Sequence, residues 1–586
     1  MSNKNALTTV DNNKIKLLQK GADNGYSLSQ YRLAELLIDG KEIKQDYDEA
    51  IKLLIKASDG GLAEAQYLFG MLNYKGEIVK QDYDKAFKMF NDAAEQANPG
   101  SQYMLGVLYK NGLGAKHDYT MAANWFKKAA NNGYSEALYT LGEMHLIGEG
   151  VDLDFKQSED YLVKSARLQN EKADYLLGKF YYDGKLVAKN YKIAHKHFKA
   201  SAKKDFPDAI YMLGKMHLNG NGVAENHEEA IKLLTNAAEL GSKDAKYVLG
   251  MLFLEKDNLE EGVKLLKEAA TSNHSDAQYE LSKLFFSGTK KVSKDAKEGI
   301  KWLSESANNN HLLAQLKFGN KILIDCKKES NEGIFEKLLI SLGFYEEKTL
   351  CEVGVNWINK AADSQHVYSQ IRLAKIYLEG EFVEKNKVKA IEYLTKATEQ
   401  NSATAYHLLG KILLDGDNIS KNDANNALDK LEKASEKGNL DSSYILGNLY
   451  LEGKYVGEKN TMMGLKYLTD AANNDHANSQ YALAKVYYEG NHMKQNCEKA
   501  VAQFEKSLEN KDDTSNKLMF NDAEELIGDI YHRGCIGIKK DVGEAISWYK
   551  KSDARSNPSA QYKLYEIMEE LENTNSQESE NGHSEL

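Results

Sequence analysis

The sequence predicts an all-α solenoid built from about fourteen pairs of antiparallel helices. A Leu-Gly pair or a close variant recurs along nearly the whole chain, and six consecutive intervals of 36 residues separate the first seven occurrences. Around each occurrence, apolar and small residues repeat at three- and four-residue spacing, which is typical of one helix face. Self-similarity with a period of about 20–50 residues is the signature of stacked structural repeats.

We call the recurring pair the anchor, and it divides the chain into fourteen repeats. A single helix pair cannot bury its apolar face alone, whereas a stack of pairs buries a continuous core. The second residue of each anchor is small in every repeat: Ala34, Gly70, Gly106, Gly142, Gly178, Gly214, Gly250, Ser282, Gly319, Ala374, Gly410, Gly447, Ala484 and Gly528.

Turn and cap residues predict where the two helices of a repeat end and begin. A glycine six residues past the anchor ends the first helix, because glycine adopts a left-handed cap conformation cheaply. An Asp or Asn then begins the second helix, since its side chain accepts hydrogen bonds from free backbone N–H groups. The predicted glycine stops are Gly40, Gly76, Gly112, Gly148, Gly184, Gly220, Gly288, Gly380, Gly416, Gly453, Gly490 and Gly534, and the predicted starts are Asp46, Asp82, Asp118, Asp154, Asn190, Asn226 and Asn386.

The consensus A-x-A-Q-Y-x-L-G-x-x-Y-x-x-G, followed by D-Y-x-x-A-x-x-W-x-x-K-A-A, resembles Sel1-like repeats, which are relatives of the tetratricopeptide repeat. The resemblance covers the chain from about Gly25 to Tyr565. It implies a right-handed superhelix of antiparallel helix pairs with a long concave surface. It also implies a scaffold or adaptor rather than a catalyst.

Departures from the pattern predict the domain organisation. Lys256 stands where glycine is expected, and the following anchor interval is 32 residues, which predicts a shortened loop between two helices. We expect an N-terminal capping helix at 1–24, a first block of repeats at 25–325, an insertion at 326–356, a second block at 357–510, a polar insertion at 511–519, a last repeat with a capping helix at 520–568, and an acidic disordered tail at 569–586.

The insertion at 326–356 is apolar and lies within the ninth repeat. It brings together large apolar residues at helical spacing. One interpretation is a third helix packed against the solenoid, and the other is an exposed apolar patch for a partner or for a second copy of the chain, which would make a homodimer. The apolar residues are Ile334, Phe335, Leu338, Leu339 and Leu342.

Charge and cysteine usage limit the possible partners and compartments. The net charge is −11 and only five of the 76 basic residues are arginines, which argues against nucleic-acid binding. The four cysteines show no CxxC spacing, so we expect a reducing compartment without disulfides. With no signal peptide and no long apolar stretch, we expect a cytoplasmic protein, or one secreted into a host cell without a classical signal, and no direct membrane insertion.

No catalytic, metal or cofactor motif is present in the sequence, so we expect neither an enzyme nor a cofactor. His145 and His217 occupy a position where other repeats place tyrosine, which predicts packing rather than catalysis. His195 and His197 are two residues apart on a helix and face different directions, which makes joint chelation of a metal unfavourable.

A column of lysines predicts the partner-binding surface. The residue that follows the anchor is lysine in six repeats, and by analogy with tetratricopeptide repeats this column lines the concave groove. A row of lysines could hold an acidic or C-terminal carboxylate peptide, although a solvated helix face would look the same. We expect partner contacts at Lys179, Lys215, Lys283, Lys375, Lys411 and Lys485, with apolar contacts from Phe335, Leu338 and Leu339.

The sequence therefore predicts a non-enzymatic scaffold or adaptor that binds an unidentified protein or peptide in its groove. One alternative is a bacterial secreted effector, or an effector-immunity or regulatory protein, that uses the same repeats. A less favoured alternative is an enzyme that handles peptides or carbohydrates in the groove, which would require clustered acids there.

Overall fold

The computed structural model describes residues 4–289, 292–327, 349–416, 419–509, 517–554 and 556–581. These residues form thirty helices and contain no β-strand, which confirms the predicted all-α class. The chain divides into two compact units, Met1–Lys294 and Asp295–Leu586. In each unit, consecutive helices pack as antiparallel pairs, and we call the first helix of a repeat helix A and the second helix B.

The N-terminal unit begins with α1 (Lys4–Asp23). Its A helices are α2 (Ser27–Asp39), α4 (Ala63–Lys75), α6 (Pro99–Asn111), α8 (Ser135–Ile147), α10 (Glu171–Asp183), α12 (Pro207–Asn219), α14 (Lys243–Glu255) and α16 (Ser275–Ser287). Its B helices are α3 (Tyr47–Asp59), α5 (Tyr83–Glu95), α7 (Tyr119–Asn131), α9 (Phe155–Arg167), α11 (Tyr191–Ala202), α13 (His227–Glu239) and α15 (Leu259–Thr271).

The C-terminal unit continues the alternation of the two helix types. Its B helices are α17 (Ala296–Asn308), α19 (Leu350–Asp363), α21 (Lys387–Glu399), α23 (Lys421–Glu436), α25 (Thr461–Asn473), α27 (Cys497–Glu509) and α29 (Val542–Asp553). Its A helices are α18 (Leu312–Lys327), α20 (Val367–Glu379), α22 (Ala403–Leu413), α24 (Leu440–Glu452), α26 (Ala477–Glu489) and α28 (Lys517–Arg533), and α30 (Pro558–Asn581) ends the unit.

Side-chain caps begin the B helices at the predicted residues. The Asp82 carboxylate accepts a hydrogen bond from the Lys85 backbone N–H at 2.9 Å, and Asp118 accepts one from Met121 at the same distance. Asn190, Asn226 and Asn386 accept in the same way. All seven predicted starts are therefore confirmed as caps that satisfy backbone N–H groups at the helix start.

Most of the glycine stops are confirmed. Nine of the twelve are left-handed caps with φ between 63° and 74°. Gly534 also has a positive φ of 71°, whereas Gly288 combines a φ of 71° with a ψ of 160°, outside the left-handed helical region. Gly416 instead has φ of 148°, and its helix ends earlier, at Leu413. The residue that replaces glycine in the seventh repeat, Lys256, leads into Asp257 with φ of 59°, and residues 256–258 alone connect α14 to α15. The shortened loop is therefore confirmed.

Close contact between the anchor and helix B sets the spacing within a repeat. A Cβ atom placed on Gly106 would lie 2.5 Å from the ring of Phe126, and one on Gly178 would lie 2.6 Å from the ring of Phe198. Both phenylalanine rings are fully buried. Because no real Cβ approaches a ring so closely, these anchors must be glycine for the two helices to pack at this distance.

Helices extend into both predicted insertions and into the predicted tail. Helix α18 runs to Lys327 and α19 begins at Leu350, while residues 328–348, including all five apolar residues of the predicted cluster, lie outside the described residues. Helix α28 begins at Lys517, within the predicted polar insertion. Helix α30 extends to Asn581 through most of the segment predicted to be disordered, because a helix nucleated by the buried Ala560 and Ile567 is extended at little cost.

Both cysteine pairs form disulfides, so the expectation of free thiols is wrong. Cys326 pairs with Cys351 across a Cα–Cα distance of 5.5 Å, and Cys497 pairs with Cys535 across 6.0 Å. Both distances suit a disulfide. The pairs were not predictable from spacing because the partners are 25 and 38 residues apart and meet only through the helix stacking. The first disulfide joins the two ends of the insertion at 326–356.

Replacing an anchor glycine tests the packing directly. We expect Gly106→Leu to lower the free energy of unfolding by at least about 3 kcal/mol, because overpacking a tight contact costs about 1–3 kcal/mol and the displaced ring is fully buried. The control, His217→Tyr, restores the residue of other repeats and should change stability by less than about 0.5 kcal/mol. Denaturant unfolding measures both, and the reverse ranking would contradict the packing described.

Removing the second disulfide tests the pairing. Intact protein should show no reactive thiol at these four positions in mass spectrometry after alkylation. The double variant Cys497→Ser/Cys535→Ser should lose about 3–4 kcal/mol of stability, the value expected for a closed loop of this length. Two alkylated cysteines from this pair in oxidised wild-type protein would show that the disulfide does not form.

Candidate functional site

The six predicted lysines all lie on A helices, on the side turned away from helix B. Each follows an anchor residue that packs against helix B, and one residue along a helix turns the side chain by about 100°. Lys283, Lys375 and Lys411 are exposed, whereas the other three are half-buried along their stems. The column is therefore accessible in both units, as predicted. Whether it binds a partner stays a prediction.

Carboxylates accompany the lysines of the N-terminal unit. Lys179 lies near Asp208 and Lys215 lies near Asp244, and in both cases the lysine stabilises the charged carboxylate. Lys283 forms an ion pair with Glu280 at 2.7 Å. The lysines are thus members of a mixed-charge surface rather than an isolated positive row, which the column pattern alone did not indicate.

The two acids of this surface titrate differently. Burial and the neighbouring Asp244 raise the pKa of the Asp208 carboxyl. A hydrogen bond from His274 lowers the pKa of Asp244, and the two side chains are 3.0 Å apart. A partner cation near Asp208 would therefore offset part of the cost of burying this carboxylate.

The lysines of the C-terminal unit lie near an imidazole or a tyrosine ring. Lys375 and Lys411 both lie near the imidazole of His407, which is hydrogen-bonded to the Ser442 hydroxyl at 2.8 Å. Lys485 lies over the ring of Tyr481, with its ammonium 5.7 Å from the ring centroid. A lysine over a tyrosine ring gains a cation–π contact while its ammonium group stays accessible to a partner.

A second column on the A helices consists of tyrosines, and the sequence interpretation did not assign it a role. The residue three positions before the anchor residue is tyrosine in all eight A helices of the N-terminal unit. It is four residues before the lysine-column position, so the two columns are neighbours on one helix face. The signal was present in the Q-Y of the consensus. The tyrosines are Tyr31, Tyr67, Tyr103, Tyr139, Tyr175, Tyr211, Tyr247 and Tyr279.

Burial raises the pKa of several of these tyrosines further above physiological pH. Burial and nearby carboxylates raise the pKa of Tyr175 and of Tyr211 to about 12. Burial also raises the pKa of Tyr67, Tyr103 and Tyr247. A neutral hydroxyl can donate a hydrogen bond, and a half-buried ring offers apolar contact area at low entropic cost. This combination is favourable for binding peptides.

We call the side of the A helices that carries the lysine and tyrosine columns the A face. In the N-terminal unit, the A face is the inner side of the stack. The hydroxyl groups of Tyr67 and Tyr134 lie close enough to influence each other's pKa, although they belong to the second repeat and to the start of the fourth. In consecutive repeats, α12 also contacts α14 directly. The approach of Tyr67 to Tyr134 spans two repeats, which indicates that the stack curves toward this face.

The predicted apolar contacts Phe335, Leu338 and Leu339 lie outside the described residues, and they remain a prediction. The described residues adjoining them are held together by the disulfide between Cys326 and Cys351. Cys326 in α18 and Cys351 in α19 therefore lie beside each other, on either side of the segment that contains the three predicted contacts.

The histidines pack as predicted. His145 is buried and stacks on Tyr161 with ring centroids 5.6 Å apart. His197 is 2.9 Å from Asp174 and stacks on Tyr181, whereas His195 faces His217 at 6.5 Å. His195 and His197 thus have different neighbours. In the part of the chain that the structure describes, no group of three or more His, Cys, Asp or Glu side chains is arranged to hold a metal ion.

A polar groove of about 690 Å³ lies on the opposite side, beside helix α7 and the loop that follows α8. His145, Tyr161 and Asp154 are among its lining residues. A smaller groove of about 350 Å³, lined by Asn73, Asp82 and neighbouring residues, occupies the equivalent place in an earlier repeat. The groove is therefore a feature of the repeat rather than a single specialised site.

Among the described residues, no helix is both long enough and apolar enough to cross a membrane.

Comparison with known families agrees with the repeat count. The sequence model of the Sel1 repeat matches thirteen segments, and the ninth helix pair, α18 with α19, falls in the longest gap between them, residues 312–366. Counting that pair gives fourteen repeats. The matched residues are 27–62, 63–98, 99–134, 135–170, 172–206, 207–242, 244–274, 275–311, 367–402, 403–439, 440–476, 477–512 and 521–552.

Several solved structures are similar to this chain. A protective antigen present in uropathogenic Escherichia coli strains is 25% identical over 78% of this chain and 95% of its own, with a TM-score of 0.45. A Sel1 repeat protein from Oxalobacter formigenes is 28% identical over 51% of this chain and 88% of its own, with a TM-score of 0.41. The immunity protein Pa5087 from Pseudomonas aeruginosa is 18% identical over 37% of this chain and 82% of its own, with a TM-score of 0.27. The sequence matches no curated protein.

Acidification should destabilise the C-terminal unit through His407. Burial lowers the pKa of this imidazole below its value in the unfolded chain, and Lys411 and Lys375 act in the same direction. Between the two pKa values the unfolded chain binds more protons, so stability is complete above about pH 6.5 and falls as the pH falls. Thermal melts between pH 7.5 and 5 should show this loss.

The variant His407→Tyr, which introduces the residue found at this position in other repeats, should reduce the slope of stability against pH. It should not abolish the slope, because burial also lowers the pKa of His195 and His366. An unchanged slope in a folded His407→Tyr protein would show that this imidazole does not contribute.

Proposed function

Because this chain belongs to the Sel1 repeat family, we propose that it is a non-enzymatic scaffold that binds protein partners through the A faces of its repeats. The observation that supports the proposal is the pair of neighbouring columns on these faces. In the N-terminal unit an unbroken column of tyrosines offers apolar rings and hydroxyl groups, and along both units the position after the anchor varies among lysine, acidic, asparagine and apolar residues. A uniform framework with one variable column is suited to selecting a partner.

The lysines have a defined part in this proposal. Lys179 and Lys215 lie one repeat apart, as do Lys375 and Lys411, so each pair presents two ammonium groups in the same direction. Exposed charges of this kind mainly accelerate association and lose influence as salt rises. Half-buried tyrosines such as Tyr175 and Tyr211 would supply the contact area that slows dissociation.

The apolar insertion is a second element of the proposal. Phe335, Leu338 and Leu339 would provide apolar anchors for a partner or for a second copy of the chain. The disulfide between Cys326 and Cys351 holds together the described residues that flank this segment.

The disulfides also favour one of the two predicted locations. Disulfides persist in oxidising compartments and are rare in the cytosol. Two of them, Cys326–Cys351 and Cys497–Cys535, therefore support secretion over a cytoplasmic location. A secreted or surface-acting scaffold agrees with the alternative of an effector or effector-associated protein.

Affinity capture followed by binding kinetics tests this function. Partners retained by the wild-type chain are identified by mass spectrometry and purified. We expect Lys179→Glu/Lys215→Glu and Lys375→Glu/Lys411→Glu to slow association several-fold and to flatten its salt dependence. We expect Phe335→Ala/Leu339→Ala and Tyr175→Ala/Tyr211→Ala to accelerate dissociation.

The matched control reverses two exposed lysines on helix B. Lys192→Glu/Lys196→Glu makes the same change in net charge on α11, outside the A face. It should leave association within about twofold of wild type if the A face binds. Binding lost in this control and retained in all four test variants would place the interface on the B helices.

A further inference from the structure

In the first four repeats, the position after the anchor, which varies from repeat to repeat, follows a distinct pattern. The residue that follows the anchor is Glu35 in the first repeat and Glu143 in the fourth, and it is Met71 and Val107 in the two repeats between them. The lysines begin only at the fifth repeat, with Lys179. Along the A face, therefore, two apolar positions lie between two acidic ones.

The two acidic positions have the same geometry. The Tyr31 hydroxyl donates to the Glu35 carboxylate at 2.5 Å, and the Tyr139 hydroxyl donates to the Glu143 carboxylate at 2.6 Å. The partners are one helical turn apart on α2 and on α8. Each tyrosine therefore orients a carboxylate on the A face. The second oxygen of Glu35 already accepts from Arg32, whereas Glu143 keeps lone pairs for another donor.

The middle of this surface is apolar. Met71 and Val107 are half-buried beside Tyr67 and Tyr103 of the same helices, and all four pack on the buried cluster around Phe90 and Leu105. Their outer surfaces stay accessible.

Gly100 makes room for the ring of Tyr67. A Cβ atom on this glycine would lie 2.9 Å from the ring, so the ring lies flush against the start of α6. From there the Tyr67 hydroxyl reaches Tyr134. The surface between the two acidic positions is thus smooth and continuous.

Further carboxylates surround this apolar centre. Glu64 and Glu136 are exposed in the first turns of α4 and α8. Glu64, Glu136 and Glu143 form no ion pair among the described residues. Two cations lie nearby, but Arg32 is paired with Glu35 at 2.8 Å and Lys110 with Glu149 at 3.0 Å. The surface therefore carries uncompensated negative charge in a chain whose net charge is already −11.

We propose that this glutamate-rimmed patch, formed by Glu35, Glu64, Tyr67, Met71, Tyr103, Val107, Glu136 and Glu143, binds an extended partner segment in which apolar side chains lie between basic ones. The inference rests on the proposed function, since it names the chemistry of a partner for the A face. Lysine or arginine side chains would form charge-assisted hydrogen bonds with the carboxylates and contacts with the tyrosine rings. The apolar side chains would cover Met71 and Val107.

The length of the patch suits a short extended peptide segment. Packed helices lie about 8–10 Å apart, so three repeat steps cover roughly 24–30 Å, the length of about eight extended residues. The acidic C-terminal tail of the chain itself has the wrong sign of charge to occupy the patch. The lysines that follow from the fifth repeat onward would repel the same basic segment, which fixes its position on the face.

The test uses a fluorescent eight-residue peptide with two central leucines and three lysines at each end. Its counterpart has glutamates in place of the lysines. Anisotropy titrations with the full chain at low salt should show binding of the lysine peptide. Glu64→Gln/Glu136→Gln/Glu143→Gln should weaken this binding at least tenfold, and Met71→Ala/Val107→Ala should weaken it at least threefold.

Two controls separate this patch from general attraction to an acidic protein. Asp48→Asn/Asp84→Asn/Glu228→Gln removes the same number of charges from exposed positions on B helices and should change binding less than twofold. Lys179→Glu/Lys215→Glu should leave binding unchanged or strengthen it. Circular dichroism of each variant confirms that it is folded.

Equal loss in the B-helix control, no loss in the glutamate variant, or no binding of the lysine peptide would overturn the inference. These outcomes do not by themselves contradict the proposed function. If Lys179→Glu/Lys215→Glu and Tyr175→Ala/Tyr211→Ala still weaken the binding of a captured partner, the A face binds proteins. Only the basic partner chemistry assigned to this patch is then wrong.

Discussion

The contact between a small anchor residue on helix A and a large side chain on helix B is the interaction on which the rest of this structure depends. Gly70, Gly106 and Gly178 each lie directly against a phenylalanine ring, and Gly142 and Gly214 lie against leucine side chains. Because the contact recurs in each pair, it fixes how far apart the helices lie and how each A helix is rotated about its axis. That rotation decides which residues of helix A face the next layer and which face solvent.

The surface that we propose for partner binding follows from this rotation. With the anchor held against helix B, the residue after it and the residue three before it are both turned to the A face, one helical turn apart. Pairs such as Tyr31 with Glu35 and Tyr139 with Glu143 are the direct result. The same framework therefore presents a constant tyrosine and a variable neighbour, and changes of the neighbour alter the chemistry of the face without disturbing the core.

Much of this fold was predictable because local signals and the repeat period agree. The caps at Asp82 and Asn190, the glycine stops and the shortened loop at Lys256 all follow from short-range rules. The disulfides were not predictable, because their partners meet only through the stacking of helices. The carboxylates beside Lys179 and Lys215 belong to the following repeat, so no pattern within one repeat revealed them. The sequence assigned no role to the tyrosine column, because a tyrosine that recurs at a fixed helical position also fits a packed core.

Site-specific photocrosslinking in a complex with a purified partner tests most directly the claim that the A faces bind proteins. Benzoylphenylalanine is placed at Tyr67 or Tyr175 on A helices, and at the exposed Tyr47 or Asp84 on B helices. The account predicts crosslinks to the partner from at least one A-helix position and none from the two B-helix positions. Crosslinks confined to Tyr47 and Asp84, in a complex of unchanged affinity, would contradict it.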